Sequence, residues 1–155
     1  MKKCFVLISA VLSVYISATA AADVRMAGNA CHPEGNTDAY WYWYQSCIYN
    51  DSTSNIYYVR CPVAGVDLAN YIAGTAYVID NSYSYVVCSL ATVDLNGTGS
   101  GYYSTRYSAG NSPTPTTLDF GSIPTLGRTP ALNCQIPNKN GGNRSGIHSY
   151  TTYSY

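Results

Sequence analysis

The chain has 155 residues, ten per cent of them charged, and its eight basic and eight acidic residues give a formal net charge of zero. Roughly a quarter charged is usual for a soluble domain, and no basic run occurs here. This excludes the clustered positive patch that nucleic acid or an anionic membrane surface requires.

Lys2 and Lys3, the apolar run 4–16 and the small residues Ala18, Thr19 and Ala20 read as an export signal over 1–20, with cleavage at 22 as the alternative. The apolar run is short for a bilayer span, no later segment is more apolar, and Cys4 stands too early to be a lipid-attachment site. The expected product is one exported domain over 21–155, extracellular or periplasmic, with no membrane insertion. Losing Lys2 and Lys3 brings its formal charge to −2, six basic residues against eight acidic.

Hydrophobic periodicity in the remainder is two rather than 3.6. The aromatic stretch DAYWYWYQSC leads into a first strand over 39–49, and the polar turn 50–55 separates it from 56–61, which Pro62 stops. Further strands are expected at 75–79 and 83–93. Asn96-Gly97 then opens a hairpin turn that leads back through 101–107. Residues 108–115 and 137–146 read as loops, with strands at 116–120 and 132–136 and a last one at 147–155. The only helix candidate is 66–72. The pattern predicts a single antiparallel β-sandwich of about eight strands, Greek-key or jelly-roll-like and disulfide-stabilised.

Cys31, Cys47, Cys61, Cys88 and Cys134 remain after export, an odd number whose pairing spacing alone does not select. Alternation places Cys61, Cys88 and Cys134 inward. A Cys88–Cys134 bridge is expected as a staple between the two sheets, and Cys31 is within reach of Cys61. Cys47 is the candidate free thiol.

Several landmarks recur in order: Cys31-His32-Pro33, Ile48-Tyr49-Asn50-Asp51-Ser52, Val59-Arg60-Cys61-Pro62-Val63 and Val87-Cys88-Ser89-Leu90. Leu118-Asp119-Phe120-Gly121, Leu132-Asn133-Cys134-Gln135-Ile136-Pro137 and Ser149-Tyr150 complete the set. Together they resemble small secreted proteins of Gram-negative bacteria. The resemblance implies a β-sandwich with four framework cysteines and no established activity. Cys47 departs from the pattern, which has glycine or another small residue there.

Chemistry-bearing constellations are sparse. Two histidines, His32 and His148, stand at opposite ends of the chain, so neither a metal site nor a cofactor is expected. Asp51, Asp80 and Asp94 sit at turns, where isolated aspartates usually cap their own backbone rather than hold calcium. A serine hydrolase needs serine, histidine and an acid together; Gly142-Asn143-Arg144-Ser145-Gly146 misses the nucleophile-elbow spacing by one residue. Glu34 is the sole glutamate, whereas a glycosidase needs a carboxylate pair. No catalytic residue is assigned. Asn50, Asn96 and Asn143 are formal glycosylation acceptors.

The aromatic residues are the feature left over. In one strand, Trp41 and Trp43 share the core face while Tyr40, Tyr42 and Tyr44 share the other. Outward rings stabilise a sheet by cross-strand pairing and need no function for it. They also suit recognition, since tyrosine offers a large, nearly rigid contact area. Tyr150, Tyr153 and Tyr155 add an uncharged final strand, the kind of edge that can be donated to a neighbouring subunit. The reading is a non-catalytic surface, matrix or adhesion component with a glycan or protein surface, including a second copy, as partner. The alternative is a carbohydrate-binding module on the aromatic row, and a small secreted hydrolase is a distant third.

Overall fold

The computed structural model describes residues 22–35, 40–63, 70–94 and 101–155. The export signal at 1–20, positions 66–69 of the helix candidate and the Asn96-Gly97 turn lie outside these residues. The end of that helix candidate, Tyr71 and Ile72, is strand.

Eleven strands occur among the described residues: β1 (Ala22–Ala27), β2 (His32–Pro33), β3 (Trp41–Tyr44), β4 (Cys47–Asn50), β5 (Tyr57–Cys61) and β6 (Tyr71–Asp80). They continue as β7 (Val87–Val93), β8 (Tyr103–Tyr107), β9 (Ser112–Pro124), β10 (Thr129–Ile136) and β11 (Gly146–Ser154). One sheet has the order β3-β4-β11-β6-β9, with β1 also paired to β11; the other runs β2-β5-β10-β7-β8, and every pairing is antiparallel. This is the disulfide-stabilised β-sandwich that the alternation predicts. The count exceeds eight because the aromatic stretch divides and because β1 and β2 precede the first expected strand. Among the described residues no helix is long and apolar enough to cross a membrane.

The core forms where the inward faces meet. Ile48, Ile72, Val78, Phe120, Ile147 and Tyr150 come from one sheet, against Val59, Leu90, Leu132 and Ile136 from the other. Removing such side chains from water contributes about 1.5–3 kcal/mol each. The long edge strand β9 carries Pro113 and Pro115, residues that a strand tolerates where no ladder partner needs their N–H.

Cys31, just before β2, is bridged to Cys61 at the end of β5, and Cys88–Cys134 lies within the five-stranded sheet. Cys88 and Cys134 are direct register partners on β7 and β10, with Cα atoms 4.1 Å apart, so this bridge joins neighbouring strands and does not staple the two sheets. Sharing an inward face made both geometries available; register selected the cross-strand one.

The last strand is not an edge. Along β11, residues 146–154 pair with β6 on one side, while β4 and β1 occupy the other side end to end. Its backbone groups are thereby used, and Tyr150 is completely buried, its hydroxyl donating to Pro62 O at 2.7 Å and close to Met26 Sδ at 3.1 Å. Burial pushes the Tyr150 phenol up to about 12.

Candidate functional site

The aromatic stretch is a hairpin rather than one strand. Gln45 and Ser46 turn the chain between β3 and β4, with Gln45 at a φ of 53°. Neither residue is a strong hairpin former, since the left-handed region favours glycine or asparagine. The tip is held from outside instead. Asn29, in the 3-10 turn Gly28–Ala30, donates its backbone N–H to Ser46 O at 3.0 Å and its Nδ2 to Gln45 O at 2.9 Å.

This turn decides where each ring goes. Trp41 points inward, is 6% exposed and meets Tyr57 of the facing sheet. Trp43, on the same side of the strand, is 46% exposed and does not fill the core. β3 is the outermost strand of its sheet, and Trp43 lies one pleat nearer the hairpin tip. Tyr40 precedes β3 and stacks on Tyr57 with centroids 5.3 Å apart, so it leaves the row it was expected to share. Tyr42 and Tyr44 stay outward, 40% and 53% exposed, with ring planes 9° from parallel and centroids 6.2 Å apart.

A third ring joins them by register. Tyr42 faces Tyr49, Tyr49 faces Gly146, and Gly146 faces Ile79, so one row crosses β3, β4, β11 and β6. Gly146 has no side chain to fill that row. A Cβ there would sit 2.2 Å from Ile48 O and 2.7 Å from the Tyr49 ring, so the strands approach closely only because the position is glycine. Beside this row lies an open groove of about 350 Å³ bordered by Tyr42, Tyr44, Tyr49, Ile79, Asn81 and the 142–144 segment. Ligand clefts commonly span about 300–1,000 Å³.

The polar rim comes from the loop before β11. Lys139 N–H donates to Ser52 O at 2.8 Å, and Asn140 and Asn143 exchange backbone hydrogen bonds at 3.0 Å, which fixes the loop over the 51–53 turn. Arg144 then lies over the Tyr42 ring, 4.3 Å from its centre, while its Nε donates to Asp51 Oδ1 at 2.7 Å. Lys139 Nζ reaches the same oxygen at 2.9 Å. The Arg144 guanidinium, and then Lys139, hold the Asp51 carboxyl below its ordinary range. Asn81 donates through Nδ2 to Arg144 O at 3.0 Å.

Two buried groups support this surface. Asp80 is fully buried, and Ser82 N–H, Val86 N–H and the Ser108 and Ser145 hydroxyls donate to its carboxylate oxygens. Among the described residues Cys47 is the free cysteine, and it is buried on the outward side of β4, next to Tyr49. Burial, followed by a hydrogen bond with the Cys47 thiol, raises the Tyr49 phenol well above its ordinary value.

Of the other aromatic residues singled out from sequence, Tyr150 is core, Tyr153 is half-buried, and Tyr155 is exposed and stacks on Tyr71 at 6.0 Å. None of them joins the groove. The sequence does not mark Tyr49, Asn81, Asn143 and Arg144 as contact residues of the aromatic row. Tyr49 reads as the tail of a strand, and the loop residues become site residues only through the loop's position.

Among the described residues, His148 Nδ1 lies 3.3 Å from Ser149 Oγ. His32 and His148 lie in different sheets, and among the described residues no ion pair joins either to a carboxylate. Ser145 is fully buried and donates to Asp80. Glu34 pairs with Arg60 at 2.9 Å and Asp94 with Arg128 at 2.6 Å. Of the three turn aspartates, Asp80 caps its own turn through Ser82 N–H. Asn50 is fully buried and hydrogen-bonded to Ile136 O, whereas Asn143 is exposed at the groove.

No family model matches the chain, and no curated protein sequence matches it. Among solved structures it is similar to the low-affinity xylan-binding module CBM86 from the gut symbiont Roseburia intestinalis. The TM-score is 0.51 at 14% identity, over 86% of this chain and 95% of that one. A family 11 carbohydrate-binding module of a Clostridium thermocellum cellulosomal cellulase aligns at a TM-score of 0.40 and 10% identity, over 85% of this chain and 84% of that one. At these identities the likeness to CBM86 is one of fold.

Proposed function

We propose that this chain is a non-catalytic saccharide-binding β-sandwich and that its contact surface is the groove of Tyr42, Tyr44 and Tyr49. The observation that carries the reading is the gathering of three phenol rings from two strands along one open groove. Sugar rings present apolar C–H faces and a rim of hydroxyls. The tyrosines supply flat apolar area for the former, and Asn81, Asn143 and Arg144 supply hydrogen-bonding groups for the latter. Similarity in fold to a module described as binding xylan supports this reading.

A surface or matrix role agrees with saccharide contact, and the two disulfides suit an oxidising compartment outside the cytoplasm. Self-association has less support. The final strand that suggested it is used inside the fold, since β11 is paired on both sides, and the free Cys47 thiol is buried.

The test is affinity electrophoresis of the protein through a panel of neutral and acidic polysaccharides, followed by calorimetry on any that retard it. Tyr42→Ala combined with Tyr44→Ala is expected to weaken binding by about tenfold or more, with the folded state retained because both rings are exposed. Unretarded migration on every polysaccharide, or an unchanged Kd in the double variant, sinks the reading.

A further inference from the structure

The groove's charge is one-sided. Arg144 is its only charged lining residue among those described, and no carboxylate lines it. Neutral sugars offer many hydroxyl donors, which carboxylate acceptors suit well; this rim instead offers a guanidinium, amides and phenols. Asp51 accepts from both Lys139 and Arg144 through one oxygen, so a single negative charge answers two positive ones. Asp80, the other carboxylate nearby, is fully buried, and its oxygens are taken by hydroxyls and backbone amides.

Arg144 is also oriented. Its Nε is committed to Asp51 and its guanidinium is seated over the Tyr42 ring. Among the described residues, neither Nη1 nor Nη2 has a hydrogen-bond partner. Two parallel N–H groups at the end of a guanidinium match the two oxygens of a planar carboxylate, and a charge-assisted pair of this kind is about twice as strong as a neutral hydrogen bond. Tyr42 and Tyr44 line the same groove as Arg144.

We infer that the groove selects an acidic saccharide, a sugar chain bearing uronate carboxylates, with Arg144 receiving the carboxylate through its two Nη groups while Tyr42 and Tyr44 carry the sugar ring. This rests on the saccharide-binding reading and adds the ligand class and the residue that selects it.

The experiment compares three probes of equal length by calorimetry: an oligogalacturonate, its methyl ester and a neutral xylo-oligosaccharide. The ester keeps the ring and removes the charge. The acid is expected to bind about tenfold tighter than its ester, with that preference shrinking as salt is raised. Arg144→Gln is expected to bring the acid down to the ester's affinity, and Arg144→Lys, which keeps the charge but loses the fork, to fall between them. Should Arg144→Gln not fold, acid against ester on the unaltered protein still decides. Equal binding of all three probes overturns the acid preference and leaves saccharide binding standing. Binding of none of them, together with no retardation on any polysaccharide, overturns both.

Discussion

The Arg144 guanidinium sits 4.3 Å from the centre of the Tyr42 ring while its Nε donates to Asp51. One side chain thereby couples the loop before β11 to the outer face of the edge strand β3, elements brought together only by the pairing of β3 with β4 and of β4 with β11. An exposed cation over an aromatic face contributes about 0.5–1 kcal/mol. A double-mutant cycle of Tyr42→Ala and Arg144→Gln, read by urea denaturation, is expected to return a coupling of about that size. A coupling indistinguishable from zero would show that the stacking contributes nothing.

The Asp51 ion pairs make stability depend on pH in a definite direction. Arg144 and Lys139 lower the folded-state pKa of Asp51 from 3.8. A carboxylate lowered on folding stabilises the native state above its unfolded pKa, and that contribution is lost as pH falls through the folded value. Asp51→Asn is therefore expected to melt below the unaltered protein at neutral pH, with the gap closing at pH values under about 4. Melting curves that stay parallel down through that range would rule this linkage out.

Gln45 at a φ of 53° occupies a conformation that glycine adopts without cost. Gln45→Gly is expected to stabilise the fold by about 0.4–1 kcal/mol, because Asn29 bonds to the backbone oxygen at this position and that bond survives. Asn29→Ala removes the bond and is expected to cost about 0.5–1.5 kcal/mol. It should also weaken saccharide binding, since the tip positions Tyr44. Denaturation of both variants separates the effects, and loss of stability in Gln45→Gly would show that the turn is not strained.

The cysteines predict a thiol count. In the protein without residues 1–20, a thiol reagent should find nothing to modify in the native state and a single reactive group, Cys47, on unfolding. Replacing Cys88 and Cys134 together by serine should cost about 2–4 kcal/mol. Rapid native-state labelling would mean that Cys47 is accessible after all.

Alternation along each run was enough to specify a sandwich, because a period of two demands one buried face per strand and several such strands need a second sheet to cover them. It also placed Cys61, Cys88 and Cys134 inward and left more rings than a core can use. It did not reveal the hairpin at Gln45-Ser46, since neither residue carries a turn signature and the bonds that hold the turn come from Asn29. Nor did it reveal that the final strand is central, because an uncharged strand of high β-propensity reads alike at an edge and in the middle. A cross-strand and an inter-sheet disulfide also look identical until register is known. The groove belongs to tertiary structure most of all. It follows a row through β3, β4, β11 and β6, residues distant in the chain, with a glycine where β4 and β11 approach closely and an arginine delivered by a loop. Local pattern determines which side of a strand a residue faces; only pairing between strands determines its neighbours on that side.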